Sequence, residues 1–374
     1  MEVVHICNNF VGTKVHLNQV RSLSNKKFGI KQHVIIPIYD IKHQKINNVR
    51  MQGVELHYET FNLGFLKYFP LLKLLYISLY LLVKYKKILR RADFIYSHTL
   101  WTNGLLAYFS NKLFGVNYIV AARSNDYHTF LKYLPQYRFV IRAIVNNSIK
   151  VVFISDVYKN LFLKKYTNTF SGVSTTVIYN GIDDFWLIKS KLPLRKKPQK
   201  PEVLFVGRFN KTKNIPLVIR TIFKVRELYP EVTLRIAGGS ESELLSLINY
   251  KQLPNWIHIE GQVDKEKLYK LYSNSKCLFV PSIQETFGLV YIEALSSGCP
   301  VIHSVNEAID GIYSNNINVV AVDPSDVLQM TEAVIKCLSS SFEFDRESIF
   351  NTFGWDSFSV EVIKIFHENL KSKS

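Results

Sequence analysis

The sequence predicts an α/β protein made of two successive domains, each a parallel sheet wound by helices on both faces. Three observations carry this. The 374-residue chain is too long for one core and fits two α/β domains of ordinary size, and 47% hydrophobic content supplies the apolar material for both. Short apolar runs that end in glycine or polar residues alternate with longer amphipathic stretches, the pattern of βαβ units. Polar side chains gather at the carboxyl ends of successive strands, where open α/β sheets bind ligands.

Taken in order, Val3 to Cys7 reads as the first strand, Asn8 to Thr13 as a loop containing Gly12, Val15 to Asn25 as a helix that carries His16, and Val34 to Ile38 as the next strand. The loop holds one glycine, so the GxGxxG dinucleotide fingerprint is missing and a nicotinamide or flavin cofactor loses support. The strand Phe94 to Ser97 ends at His98, a position that suits a cleft residue and a structural hydrogen-bonder equally. Tyr118 to Ala122 ends in Arg123-Ser124-Asn125-Asp126. Val151 to Ile154 leads to the helix cap Ser155-Asp156, and Thr176 to Tyr179 to the turn Asn180-Gly181.

Between Phe61 and Arg91 the pattern changes to aromatic and aliphatic residues interspersed with Lys67, Lys73, Lys84, Lys86, Lys87, Arg90 and Arg91. Its longest apolar run is far short of the roughly 20 residues that span a bilayer. The stretch therefore reads as a core helix or as an amphipathic helix at a lipid surface, and the reading preferred is one face on the domain and the other toward lipid. Tyr127, His128, Phe130, Tyr133, Tyr137 and Arg138 form a second basic-aromatic stretch. Charge agrees. Residues 1–200 hold 30 Lys and Arg against 9 Asp and Glu, while residues 201–374 hold 17 against 21, so the whole formal excess of +17 lies in the first half and points to an anionic partner there. No zinc spacing, RNA-binding aromatic strand or helix-turn-helix pattern supports nucleic acid, and an anionic membrane surface is expected instead.

The basic, proline-containing stretch 187–200 reads as a linker between a domain at 1–186 and a second at 201–350, with 351–374 a helical tail expected to pack back on the first domain. Beyond it, Val203 to Val206 leads to Gly207-Arg208 and, five positions after the arginine, to Lys213. Both cations can face a diphosphate in an interdomain cleft. Thr233 to Ala237 leads to Gly238-Gly239, and Ile257 to Glu260 to Gly261. The strand Cys277 to Val280 is followed by Glu285, a helix expected from Phe287 to Ser297, and Glu293 upon it. Free N–H groups at Thr286, Phe287 and Gly288 would hold a phosphate at the helix mouth. Cys7, Cys277, Cys299 and Cys337 show no metal-type spacing and read as buried thiols in a reducing compartment, and the acidic N-terminus lacks a leader pattern.

These motifs resemble those of family 4 glycosyltransferases, retaining enzymes of the GT-B fold, in which two Rossmann-like doubly wound domains face each other across a cleft. The matching pieces are VGRFNKTKN at 206–214, RIAGGS, PSIQETFGLVYIEALSSGCPVI and IYNGIDDFW at 178–186. Coverage is nearly the whole chain, and the second half is the more specific. The resemblance implies that Arg208 and Lys213 bind the donor diphosphate, with Gly207, Gly238 and Gly239 on the donor side. Glu293 would hold the ribose hydroxyls and Glu285 the transferred sugar near its reacting carbon. The backbone from Thr286 to Leu289 would complete the phosphate site.

Where many members have a histidine after the strand Tyr118 to Ala122 this chain has Arg123, so the sugar stays open. Gly12, His16, His98, Arg123 and Asp126 are the candidates for acceptor or sugar contacts. Without an aspartate-rich motif, cations and the helix end would stabilise the leaving group, and neither a metal nor a cofactor beyond a UDP- or GDP-sugar is expected. The expected function is transfer of a sugar, with retention, to a glycan acceptor, lipid-linked, in surface-polysaccharide synthesis at the inner face of the cell membrane. The alternative is an inactive membrane-associated or glycan-binding protein on the same scaffold.

Overall fold

In the computed structural model the described residues are 1–193, 201–339, 341 and 343–370. They separate into two units, Met1–Gly181 with the segment from Trp355 onward, and Ile182–Gly354.

The first unit is a seven-stranded parallel sheet of β1 (Glu2–Ile6), β2 (Lys31–Ile38), β3 (Val54–Thr60), β4 (Phe94–Ser97), β5 (Asn117–Ala121), β6 (Lys150–Phe153) and β7 (Thr175–Val177). Its order is β3-β2-β1-β4-β5-β6-β7, so the winding reverses between β1 and β4. β3 was not legible in the sequence. As the edge strand it buries only Glu59, and a polar, half-exposed strand leaves no apolar run to read. The helix Trp355–Glu368 closes one face, where Phe366 stacks on Phe94 of β4 with ring centroids 4.7 Å apart and Phe358 and Val362 join the same core.

The opposite face carries helices Pro70–Lys84, Trp101–Phe114, Arg138–Asn146 and Thr167–Phe170, each packed on the next. The basic-aromatic stretch 61–91 is broken into a 3-10 turn, Gly64–Tyr68, and two helices, Pro70–Lys84 and Lys86–Arg91. Helix Pro70–Lys84 buries Leu74, Ile77, Ser78, Leu81 and Leu82 and leaves Leu72, Tyr76, Leu79, Tyr80 and Val83 exposed at the same helical spacing. Among the described residues no helix is long and apolar enough to cross a membrane.

The second unit is a six-stranded parallel sheet of β8 (Glu202–Val206), β9 (Thr233–Ala237), β10 (Ile257–Gly261), β11 (Cys277–Val280), β12 (Val301–Ser304) and β13 (Val319–Val322), in the order β10-β9-β8-β11-β12-β13. Winding reverses between β8 and β11. Both units are doubly wound and Rossmann-like, as the sequence predicts. The expected linker is corrected at its start, because Leu187 to Ser190 lie in the helix Asp184–Ser190, where Trp186 and Leu187 are buried. Residues 194–200 of that linker lie outside the described residues.

Candidate functional site

The loops that leave β8 and β11 meet at the reversal point of the second sheet. After β8 the chain passes Gly207 and Arg208 into the 3-10 turn Lys211–Lys213, which Asn210 caps by accepting the Lys213 N–H at 3.1 Å. Asn214 then turns into the left-handed region at φ +55° and starts the helix Ile215–Leu228. The Ile283 N–H donates to the Thr212 carbonyl at 2.7 Å and joins this loop to the one after β11. At that junction Lys213 Nζ meets Glu285 Oε2 at 2.6 Å, and both side chains are largely covered, 17% and 19% exposed. Arg208 is exposed and makes no ion pair among the described residues.

The glycines account for how closely these loops approach. A Cβ on Gly238 would lie 2.2 Å from the Gly207 carbonyl oxygen, and one on Gly239 2.3 Å from the Phe209 ring. Gly238 and Gly239 therefore let the ends of β8 and β9 close on each other, with Gly207 the residue that Gly238 approaches.

Past Glu285, Phe287 is buried and Gly288, at φ +71°, caps the helix Leu289–Ser296, two residues later than the sequence predicts. A Cβ on Gly288 would lie 2.3 Å from the Tyr291 ring. Thr286 and Leu289 flank this turn and are half-buried. Glu293 stands one turn into the helix, and its carboxylate accepts the Tyr272 hydroxyl at 3.3 Å. Burial pushes the Glu293 carboxyl up to about 7, and the Tyr272 hydrogen bond pulls weakly the other way.

Sequence reasoning missed Glu307. It accepts the Gln284 N–H at 3.0 Å, while the neighbouring Ala308 N–H donates to the Glu285 carbonyl at 3.0 Å. Together they clasp the acid loop; Gln284 (φ +67°) within it and Asn306 (φ +58°) and Ala308 (φ +53°) in the loop after β12 are all left-handed without being glycine. Burial pushes the Glu307 carboxyl up to about 7, with the Glu285 charge adding to it. The signal was available, since Glu307 lies in the loop just after β12, but SVNEAIDG carries no paired motif to mark it.

In the first unit the candidates gather at the reversal between β1 and β4. His98 is fully buried, stacked on Tyr96 at 4.4 Å, and bonded through Nε2 to His5 Nδ1 at 3.1 Å, with no partner for Nδ1. His16 packs edge-on against His98 and shares a hydrogen bond with Gln19 at 3.2 Å; burial, then the Arg123 charge, lowers it to about 3. Arg123 Nε donates to the His98 carbonyl at 3.3 Å. Gly12 is roofed by the Asn9 side chain, whose Oδ1 a Cβ would meet at 2.2 Å.

Asp126 faces inward. Its oxygens accept the N–H groups of Leu100, Trp101 and Arg123 at 3.1, 3.0 and 2.9 Å, so it caps the helix Trp101–Phe114. Burial raises its carboxyl to about 6 against those bonds. Among the described residues two groupings have the geometry to hold a metal. One is Cys7, His16 and His98, buried, and the other His33, Glu55 and His57, each set with ligand atoms within 4.8 Å of one another.

Comparison with known proteins agrees with the motifs. Residues 188–352 match the family described as glycosyl transferases group 1. An uncharacterised glycosyltransferase of Methanocaldococcus jannaschii is 24% identical over 51% of this chain and 53% of its own length. The glycogen synthase of Mycobacterium tuberculosis is 27% identical over 51% of this chain and 48% of its own. The chain thus spans about half the length of these curated relatives. The sucrose-phosphate synthase of Thermosynechococcus elongatus superposes with TM-score 0.71 at 17% identity, over 98% of both chains. Anabaena HepE, solved with UDP and glucose, gives 0.66 at 14% identity, over 98% of this chain and 99% of its own. The fold is GT-B, two Rossmann-like units in one chain.

Proposed function

We propose that the protein is a retaining glycosyltransferase that moves a sugar from a nucleoside-diphosphate sugar to a lipid-linked glycan in the synthesis of a cell-surface polysaccharide. The observation that carries the transfer is the Lys213–Glu285 pair at 2.6 Å, held at the loop ends of β8 and β11 with Arg208 uncommitted nearby in sequence. Breaking a sugar–phosphate bond puts negative charge on the departing diphosphate and positive character on the sugar ring. Lys213 and Arg208 answer the first and Glu285 the second. With the cations and the turn at Thr286 to Leu289 receiving the leaving group, the step runs without a metal ion. Glu293 takes the ribose hydroxyls. The UDP and glucose in the HepE structure support a UDP-sugar as the first donor to try.

The lipid-bound acceptor is supported by the first half's charge and by the exposed apolar row Leu72, Tyr76, Leu79, Tyr80 and Val83. Lys84 is neutralised on that surface. It pairs with the buried Glu59 at 2.7 Å, so Lys67, Lys86, Lys87, Arg90 and Arg91 are the exposed cations of the stretch left to face anionic lipid at the inner leaflet. The direct experiment is donor hydrolysis across a nucleotide-sugar panel. Cleavage of one UDP- or GDP-sugar, with retained anomeric configuration and undiminished by EDTA, is expected. Absence of cleavage with every donor would sink the enzyme reading in favour of a binding scaffold.

A further inference from the structure

A pocket of about 500 Å³ opens between the helices Arg138–Asn146 and Thr167–Phe170 of the first unit. Arg138, Arg142 and Lys165 line it with Tyr166, Thr167 and Thr169, and none of its lining residues is acidic. No carboxylate pairs with any of the three cations among the described residues, whereas Lys84, Lys189, Lys213 and Lys265 elsewhere each have one.

Two of the cations are also held in place. Arg138 is fixed by two hydrogen bonds to the Leu131 carbonyl, at 3.0 and 2.8 Å, and its guanidinium lies 5.1 Å from the centre of the Tyr166 ring. Lys165 Nζ sits 4.8 Å from the Tyr127 ring centre. The positive potential reaches neighbours too, since His128 is lowered by burial and then by Lys165 and Lys132. Fixed, unneutralised guanidinium and ammonium groups around a roomy polar pocket suit a phosphate better than a single carboxylate, because several oxygens can be met at once.

The pocket's position says which phosphate. It belongs to the same helical layer as the apolar row on Pro70–Lys84, through Trp101–Phe114 and Arg138–Asn146 packed in succession. Phe139 on its rim is 65% exposed, and Leu113 in the same layer is 64% exposed. Apolar side chains beside a roomy basic pocket match a lipid head group with its acyl chains.

We propose that this pocket binds the phosphate or diphosphate head group of a membrane lipid. The proposal rests on the membrane reading given above and adds a site to it.

The test is flotation of the full chain with phosphatidylcholine vesicles that carry either phosphatidic acid, a phosphate monoester, or phosphatidylglycerol at matched charge. The wild type is expected to prefer the phosphatidic acid vesicles, and inorganic pyrophosphate is expected to compete. In an Arg142→Glu, Lys165→Glu double variant the preference and the competition are both expected to vanish, with affinity down on the order of tenfold or more. Arg142 is exposed, and an unchanged unfolding temperature checks that the variant folds.

A variant that keeps the preference, or a wild type that floats equally on both vesicles, would overturn the pocket while leaving the membrane reading intact. Pyrophosphate binding with no flotation at all would overturn both lipid readings and assign a soluble phosphate. A Leu79→Asn, Val83→Asn variant, expected to lose flotation on both vesicle types, tests the apolar row alone. Donor hydrolysis by the wild type without vesicles tests the transfer reading separately.

Discussion

Lys213 is already neutralised by Glu285, so a donor diphosphate that reaches it must compete with a carboxylate. In the proposed transfer, removing the lysine deletes a cation where charge develops. Lys213→Ala and Arg208→Ala are therefore expected to lower turnover about a hundredfold with unchanged circular dichroism, the scale of losing one transition-state donor. Glu285→Gln frees the lysine while weakening the response to the sugar's positive charge. It is expected to lower kcat while leaving UDP affinity, read by calorimetry, equal or tighter; weaker UDP binding would contradict the competition. Glu293 differs in kind. Its carboxyl is pushed up to about 7 by burial, so the ionised fraction that the proposed ribose contact requires grows as pH rises through 7. The donor KM is expected to fall between about pH 6 and 8, and Glu293→Gln to raise KM and flatten that profile with a smaller effect on kcat.

The turn from β11 into the helix Leu289–Ser296 is the element on which the acid pair depends. It is built under strain, with Gln284 left-handed, Gly288 left-handed against the Tyr291 ring, and Glu307 and Ala308 clasping the loop from β12. Gly288→Ala adds a Cβ both in a disfavoured backbone region and in contact with Tyr291. A loss of about 1–3 kcal/mol in unfolding free energy is expected, with transfer falling further than the stability change alone explains. A substitution without effect would show that Tyr291 yields easily and that the turn does not set the position of Glu285. In the first unit the helix Pro70–Lys84 obeys a different logic, since one face is core and the other carries the row already set against vesicles.

At the scale of the whole molecule, the chain returns to its first unit after finishing its second, and the helix Trp355–Glu368 completes the core around β1 and β4. Phe366→Ala empties a fully buried site stacked on Phe94 and is expected to cost about 3–5 kcal/mol. Hydrogen exchange should then quicken in β1 and β4 while β8 and β11 keep their protection. Alternating apolar runs were enough to read the two wound sheets, because a parallel strand buried on both faces must be continuously hydrophobic. The spacing of Arg208, Lys213, Glu285 and Glu293 was likewise legible, since each follows a strand or rides the helix after it. Edge strand β3, whose polar residues fit its half-exposed place, was not. Nor were the pairing of Lys84 with Glu59, the inward turn of Asp126 onto a helix end, or the clasp of Glu307 on Gln284. Each of these joins residues 23 or more positions apart. Local sequence determined which elements form and where their chemistry sits, but only tertiary structure could decide which charges are spent on one another and which remain for a ligand, because that depends on distances the chain sets only when its sheets close.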